Sequence, residues 1–347
     1  MGSYRYEILR ETTTDSLIME NNTREKKMNS NVYGIDLGTC NMKIYCKTSN
    51  KILNEKNTIA LVKKDQIYAY GDAAYAMYEK APETINVTFP VISGVIADFN
   101  NLQTMLQMYL EEHMKGKIRG AEFIVAVPTD ITDVEKRAFF EMFYKSKLKP
   151  KSVLLCEKPI ADAVGLGLDV NEPTGIMVVD IGADTTEISV ISLGGLVLSD
   201  LLHFGGNRID ESIITYVKRT YNLVIGQKTA QALKEKLGSG IPGNTETMVI
   251  VGRDVVSGLP IEMEITGEVV YEAIKDNLNS ICNSIKMILE KTPPELAKDI
   301  IHSGIYITGG SSQIHNLSQL FKDITGIEIN TCEEPEAVYY THLRAHE

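Results

Sequence analysis

The feature that most constrains this chain is a short pattern that occurs twice, once near the start of each half. In residues 32–46, an apolar run ends in Asp36, a turn containing glycine follows, and a second alternating run returns. Residues 176–191 repeat this order around Asp180. Each copy predicts a buried strand, a tight turn and a returning strand. One hairpin design used twice predicts two related α/β domains.

Each of the two turns combines groups that suit a phosphate. A strand that ends in aspartate and leads into a glycine turn presents several backbone N–H groups to one point, and threonine hydroxyls add donors. The aspartate suits hydrated Mg²⁺, which keeps most of its waters and takes one or two carboxylates. One such turn is common in plain hairpins, but two copies in matching places are more specific. The predicted nucleotide contacts are Gly38, Thr39, Cys40 and Asn41 in the first turn and Gly182, Ala183, Asp184 and Thr185 in the second, with Asp36 and Asp180 as metal ligands.

Two further glycine pairs lie where a predicted strand gives way to a helix. They are Gly205-Gly206 and Gly309-Gly310, the latter followed by Ser311 and Ser312. Glycine allows a ligand to approach the backbone closely, and a helix N-terminus favours anions. A helix cap or a simple loop explains either pair taken alone. Together the four loops predict a nucleotide in a cleft between the two domains.

The remaining pattern is that of alternating strands and helices. Thr132 and Glu135 have the spacing of a capping box and predict a helix to about Lys145. The pattern also predicts strands at 123–127, 153–155 and 304–308, and helices from about Pro159 to Gly165 and over 207–222, 227–237 and 267–291.

Composition excludes several classes of function. The net charge of −11 argues against a nucleic-acid binder, which needs a clustered cationic face. The five cysteines are odd in number and form no CxxC pair, as is typical of reduced thiols in a cytoplasmic protein. The sequence has no apolar run of the ~18–20 residues that span a bilayer and no secretory signal. We therefore expect a cytoplasmic protein.

Several longer stretches make the similarity specific: the chain resembles the MreB family of bacterial actins over about residues 32–337. The stretches are residues 34–39, 94–99, 172–175, 178–182, 185–187 and 191–195, together with 221–226 and 290–296. The resemblance implies an α/β, actin-like ATPase fold with two similar domains, each with a mixed sheet flanked by helices. It places domain I at 32–173 and domain II at 174–338, with a disordered extension at 1–31 and an atypical tail at 339–347.

The resemblance also implies a function. Members of the family bind ATP or GTP with Mg²⁺ and assemble into homopolymer filaments of paired protofilaments at the inner face of the membrane. There they guide cell-wall synthesis with cell-shape and wall-synthesis proteins. Gln231, which replaces a family glutamate near the ribose, and Lys234 are the implied contacts on a helix. A small-molecule kinase and a chaperone-type ATPase are the alternatives on the same fold.

Two departures from the family pattern bear on hydrolysis, for which the candidate catalytic residues are Glu157, Lys158 and Thr185. Lys158 stands where the family has the glutamate that orients the attacking water, and Asp184 stands where it has glycine. A lysine ammonium has donors but no acceptor, so it cannot orient a water as a carboxylate does. We expect slow hydrolysis, unless Glu157 or another carboxylate substitutes, and an ion pair between Lys158 and Asp184.

A basic loop is the one local feature that favours lipid contact. Residues 115–120 contain Lys115, Lys117 and Arg119 in the region where some relatives carry an apolar membrane wedge. Each basic residue near an anionic surface contributes about 1 kcal/mol. A solvated turn is the alternative explanation.

Overall fold

The chain folds into two compact units that divide between Gly167 and Leu168. A computed structural model describes residues 31–63, 66–114 and 118–332. The predictions for residues 1–30, for 115–117 of the basic loop and for the tail at 339–347 lie outside the described residues. The division falls a few residues before the boundary expected between 173 and 174.

The first unit is built on a five-stranded mixed sheet of order β10-β9-β1-β2-β3. Neighbours β1, β2 and β3 are antiparallel, whereas β9 and β10 run parallel to β1. A three-stranded sheet of order β5-β4-β6 and a two-stranded pair, β7 and β8, complete it. The strands are β1 Val32–Leu37, β2 Asn41–Cys46, β3 Lys51–Lys56, β4 Ile59–Val62, β5 Gln66–Tyr70, β6 Ile85–Thr88, β7 Val91–Ile92, β8 Val95–Ile96, β9 Glu122–Val127 and β10 Ser152–Glu157.

Four helices lie in the described part of this unit. They are α1 Gly71–Met77, α2 Phe99–His113, α3 Asp133–Tyr144 and α4 Lys158–Gly165. The predicted capping box opens α3: the Glu135 N–H donates to Thr132 Oγ1 at 3.3 Å, and the Thr132 N–H donates to Glu135 Oε2 at 2.7 Å. The start and the capping chemistry of α3 are thus confirmed.

The second unit repeats the main sheet of the first. Its order is β13-β12-β11-β17-β18, with β11, β12 and β13 antiparallel and β17 and β18 parallel to β11. A separate antiparallel sheet has the order β14-β15-β16. The strands are β11 Ile176–Ile181, β12 Thr186–Ser192, β13 Gly195–Leu202, β14 Leu223–Val224, β15 Thr247–Asp254, β16 Pro260–Thr266, β17 Ile305–Thr308 and β18 Ile329–Thr331.

The helices of the second unit include the three predicted at 207–222, 227–237 and 267–291 and one that was not predicted, at 294–303. They are α5 Gly206–Tyr221, α6 Gln227–Leu237, α7 Gly267–Lys291, α8 Pro294–Ser303 and α9 Leu317–Thr325. The expected helix directly after the second glycine pair is only a four-residue 3₁₀ helix, Gly310–Gln313, and α9 begins later. The anion-binding helix N-terminus expected at this point is therefore wrong, because a single 3₁₀ turn lacks the aligned peptides of a long helix.

Each unit has its own hydrophobic core. In the first, side chains of the mixed sheet pack with buried residues of α2 and α3, including Tyr109, Phe139 and Phe143. In the second, β11, β12 and β17 pack with α5, α6 and α7. Two cores on two sheets of the same topology confirm the α/β class and the two related domains predicted from the repeated hairpin.

Candidate functional site

The first glycine turn joins β1 to β2 and places Asp36 at the end of the buried strand. Gly38 is required there, because a Cβ atom at this position would lie 2.8 Å from the Asn41 carbonyl oxygen. Asp36 is 7% exposed. The β1–β2 register sets it opposite Lys43, whose Nζ lies 3.5 Å from Asp36 Oδ2. Sequence reasoning missed Lys43, although its place in the returning strand of a tight hairpin could have paired it with Asp36.

Residues at the end of β3 and in the loop before β4 contact the first turn on one side. The Asn57 side chain donates from Nδ2 to the Gly38 carbonyl at 2.7 Å, and its backbone N–H donates to the Cys40 carbonyl at 2.8 Å. Thr39 is partly exposed, and Lys56 Nζ lies 3.2 Å from Cys40 Sγ. The first turn is therefore held on one side by two hydrogen bonds from Asn57.

The second glycine turn joins β11 to β12 and is held by the loop that opens α5. The Gly206 N–H donates to the Gly182 carbonyl at 2.9 Å, and the Asn207 N–H donates to the Ala183 carbonyl at 2.7 Å. Ser311 Oγ also donates to the Gly182 carbonyl, at 3.1 Å. Three of the four predicted loops thus meet at one place in the second unit.

Glycine is needed at this meeting point because the backbones approach so closely. A Cβ atom on Gly205 would lie 2.5 Å from the Gly182 carbonyl oxygen, and one on Gly206 would lie 2.5 Å from Ser311 Oγ. Gly309 has φ of +84°, and a Cβ there would lie 2.2 Å from Asp180 Oδ1. The glycines that the sequence singled out for ligand approach also let three loops pack around the end of β11.

Lys234, predicted on a helix near the ribose, is drawn into the same cluster. Its Nζ forms an ion pair with Asp210 Oδ1 at 2.9 Å and donates to the Gly206 carbonyl at 3.0 Å. Asp210 is 2% exposed, and burial raises its pKa to about 6 although the Lys234 ammonium opposes the shift. Gln231, one turn earlier on α6, donates to Glu235 along its own helix at 2.7 Å.

The residue opposite the strand-ending aspartate differs between the two halves. In the second unit Asp180 pairs in register with Glu187, which is 1% exposed, where the first unit has Lys43. Glu187 was not among the predicted site residues, although it ends one of the stretches that resemble the family. The duplicated hairpins therefore have the same backbone but opposite charge at this position.

The candidate hydrolytic residues lie at the junction of β10 and α4. Glu157 is the last residue of β10 and Lys158 the first of α4, and both are partly buried. Asp184 accepts a hydrogen bond from Asn207 Nδ2 at 2.7 Å. Lys158 and Asp184 belong to different units, and their ion pair stays a prediction.

Of the other predicted contacts, Thr185 is buried, Ser312 Oγ donates to the Gly309 carbonyl at 2.7 Å, and Gly310 is exposed.

The residues present fit the phosphates and hydrated cation of a nucleotide. Carbonyl groups of both turns accept hydrogen bonds from neighbouring residues, and Asp36 and Asp180 offer carboxylate oxygens to a cation. Within the described ranges, no three histidine, cysteine, aspartate or glutamate side chains are grouped to hold a metal.

A duplicated α/β unit of this topology, with a glycine turn after the first strand of each copy, defines an actin-like fold. Known structures agree. The chain matches MreB5 of Spiroplasma citri bound to AMPPNP with a TM-score of 0.88 and 31% identity, over 92% of this chain and 97% of that one. The same protein bound to ADP matches with a TM-score of 0.86, 32% identity and coverages of 92% and 96%. The MamK double helical filament shares the fold at a TM-score of 0.77 and 22% identity, with coverages of 91% and 98%.

Sequence comparisons place the chain within this class. The family model for MreB/Mbl proteins matches residues 30–342. The cell shape-determining protein Mbl of Bacillus subtilis is 38% identical over 305 residues, 87% of this chain and 91% of that protein. The cell shape-determining protein MreB of Escherichia coli is 39% identical over 317 residues, with coverages of 89% and 90%. This chain belongs to the MreB/Mbl family of bacterial actins, which confirms the resemblance seen in its motifs.

Proposed function

We propose that this chain binds ATP or GTP with Mg²⁺ and polymerises into filaments at the inner face of the membrane, where they guide cell-wall synthesis. The observation that carries nucleotide binding is the convergence of the second turn, Gly205-Gly206 and Gly309-Ser311 around the end of β11. The relatives with solved structures were bound to AMPPNP and ADP. Their 31–32% identity to this chain supports the same ligand class.

Each part of the proposed site has a defined task. Turn N–H groups and the Thr39 and Thr185 hydroxyls donate to phosphate oxygens, whereas Asp36 and Asp180 hold waters of the cation. Magnesium, when bound, screens the phosphate charge. Because Gly309 has no side chain, its backbone can pack directly against the Asp180 carboxylate.

We further propose that hydrolysis is slow because of Lys158. At the start of α4, this side chain offers N–H donors but no acceptor for a water proton. Loss of a general base typically costs a factor of ~10²–10⁴ in rate. The bound nucleotide would then stay in its triphosphate form for longer.

Phosphate release from Mg-ATP at assembling concentrations tests this proposal. Wild type is compared with Lys158→Glu, which supplies a carboxylate, and with Lys158→Gln, which only removes the charge. We expect release near background in wild type and in Lys158→Gln, and a rate higher by about tenfold or more in Lys158→Glu. Rapid release in wild type would show that Glu157 or another carboxylate orients the water.

Assembly and membrane contact need separate measurements. Family membership supports both, and no helix in the described part of the chain is long and apolar enough to cross a membrane. We expect wild type to sediment with Mg-ATP and to float with anionic vesicles. Transfer of phosphate to a small molecule without sedimentation would instead favour a kinase.

A further inference from the structure

We propose that Asn57 is a positioning residue that orients the first turn for phosphate binding. The inference rests on the proposed nucleotide site and assigns a task to a side chain that no motif marked. Asn57 lies just before β4 and is fully buried at 0% exposure, directly behind the turn.

The first step of the argument is the geometry of one peptide plane. Asn57 Nδ2 donates to the Gly38 carbonyl at 2.7 Å and so fixes the direction of that C=O group. The same peptide carries the Thr39 N–H, and in a trans peptide the C=O and N–H point in opposite directions. Holding the carbonyl towards Asn57 therefore aims the Thr39 N–H away from it, towards the open side of the turn.

The second step is the comparison with the other copy of the hairpin. The Gly182 carbonyl, at the matching position after Asp180, is also tied from behind, but by the Gly206 N–H at 2.9 Å and Ser311 Oγ at 3.1 Å. Both copies thus fix the same peptide with unrelated groups. A feature kept by different means in two halves points to the peptide direction as the common requirement.

The third step is the way in which Asn57 is held. Its own N–H donates to the Cys40 carbonyl at 2.8 Å, so the residue spans the turn and grips it at two points. Its Oδ1 accepts no hydrogen bond from the described residues. Burying an amide oxygen without a hydrogen-bond donor costs free energy, so an asparagine that only filled space here would be unfavourable. We therefore infer that the turn requires the Nδ2 donor of Asn57.

Nucleotide affinity in Asn57→Leu tests the proposal. Leucine has nearly the same shape and removes both the unused oxygen and the donor to Gly38, so the unit should lose no more than about 1–3 kcal/mol of stability through the carbonyl left without that donor. We expect the Kd for Mg-ADP to rise about tenfold, as is typical when a supporting hydrogen bond is lost. The Kd for adenosine, measured by competition, should stay within about twofold, because adenosine has no phosphate for the turn to bind.

A neighbouring residue provides the matched control. Thr58 is also 0% exposed, and its Oγ1 makes no hydrogen bond to the described residues. Thr58→Val should leave both affinities unchanged. If wild type binds Mg-ADP and Asn57→Leu weakens ADP and adenosine equally, or neither, Asn57 is only a packing residue and the inference is wrong. If wild type does not bind Mg-ADP, the proposed nucleotide site itself is wrong.

Discussion

Gly309→Ala provides the sharpest test of how the loops of the second unit fit together. Gly309 has φ of +84° and ψ of +156°, a region that only glycine occupies comfortably. Forcing alanine into it costs roughly 1–3 kcal/mol. The added Cβ would also lie 2.2 Å from Asp180 Oδ1 and 2.5 Å from the Ile181 carbonyl oxygen.

The steric part of the cost comes in addition to the backbone strain. Overpacking a filled site typically costs about 1–3 kcal/mol, and here a neighbour is backbone that cannot rotate away. We therefore expect Gly309→Ala to destabilise the second unit by about 3–5 kcal/mol. A unit of this size loses about 2–4 °C in melting temperature for each kcal/mol, so the transition should fall by about 10 °C.

Gly326→Ala is the matched control in the same unit. It has φ of +71° and ψ of +8°, and a Cβ there would meet nothing within 4 Å. The left-handed backbone alone costs about 1–2 kcal/mol, so its transition should fall by less than half as much. Scanning calorimetry of both variants measures the difference. Equal shifts in the two proteins would refute the claim that the loops are in contact at Asp180.

Three other predictions follow from contacts in the two units. Lys43→Met should lower the free energy of unfolding of the first unit by about 2–4 kcal/mol, because it leaves the Asp36 carboxylate buried and unpaired. Calorimetry measures the change, and Lys43→Arg should recover part of it. Burial raises the pKa of Asp210 to about 6, so the folded state binds a proton on this carboxyl group more readily than the unfolded state does. The stability that this proton contributes is therefore lost as pH rises from about 4 to 6. Asp210→Asn should flatten that slope in urea titrations, whereas an unchanged slope would assign it to other groups. Thr132→Ala should cost about 1 kcal/mol of unfolding free energy through loss of the helix cap, unless the first turn of α3 is held by its tertiary contacts alone.

Much of the fold was predictable because its signals are local. The repeated hairpin around Asp36 and Asp180, the capping box at Thr132 and helices α5, α6 and α7 follow from the spacing of apolar residues and from caps. Helices α1, α2 and α8 were not predicted, and neither were strands β3 to β8, β13 to β16 and β18. Several are short or half-exposed and depend on pairing partners distant in the sequence.

The sequence marked the glycines and aspartates of the candidate site, together with Ser311 and Lys234. Lys43 and Glu187 were missed because their role depends on which residue the register places opposite them. Asn57 was missed because its side chain contacts a carbonyl nineteen positions earlier, a pairing that no local pattern records. The residues directly after Gly309 form a 3₁₀ turn in which Ser312 Oγ donates to the Gly309 carbonyl, and no local pattern distinguished this turn from the start of an α-helix.

Lys43 and Glu187 make the two hairpins unlike in a way that their shared strand order does not show. One aspartate faces a basic side chain and the other faces an acidic one. A chimera with the first hairpin grafted into both positions would carry two lysines and lose the acidic pair. The two hairpins are therefore not interchangeable.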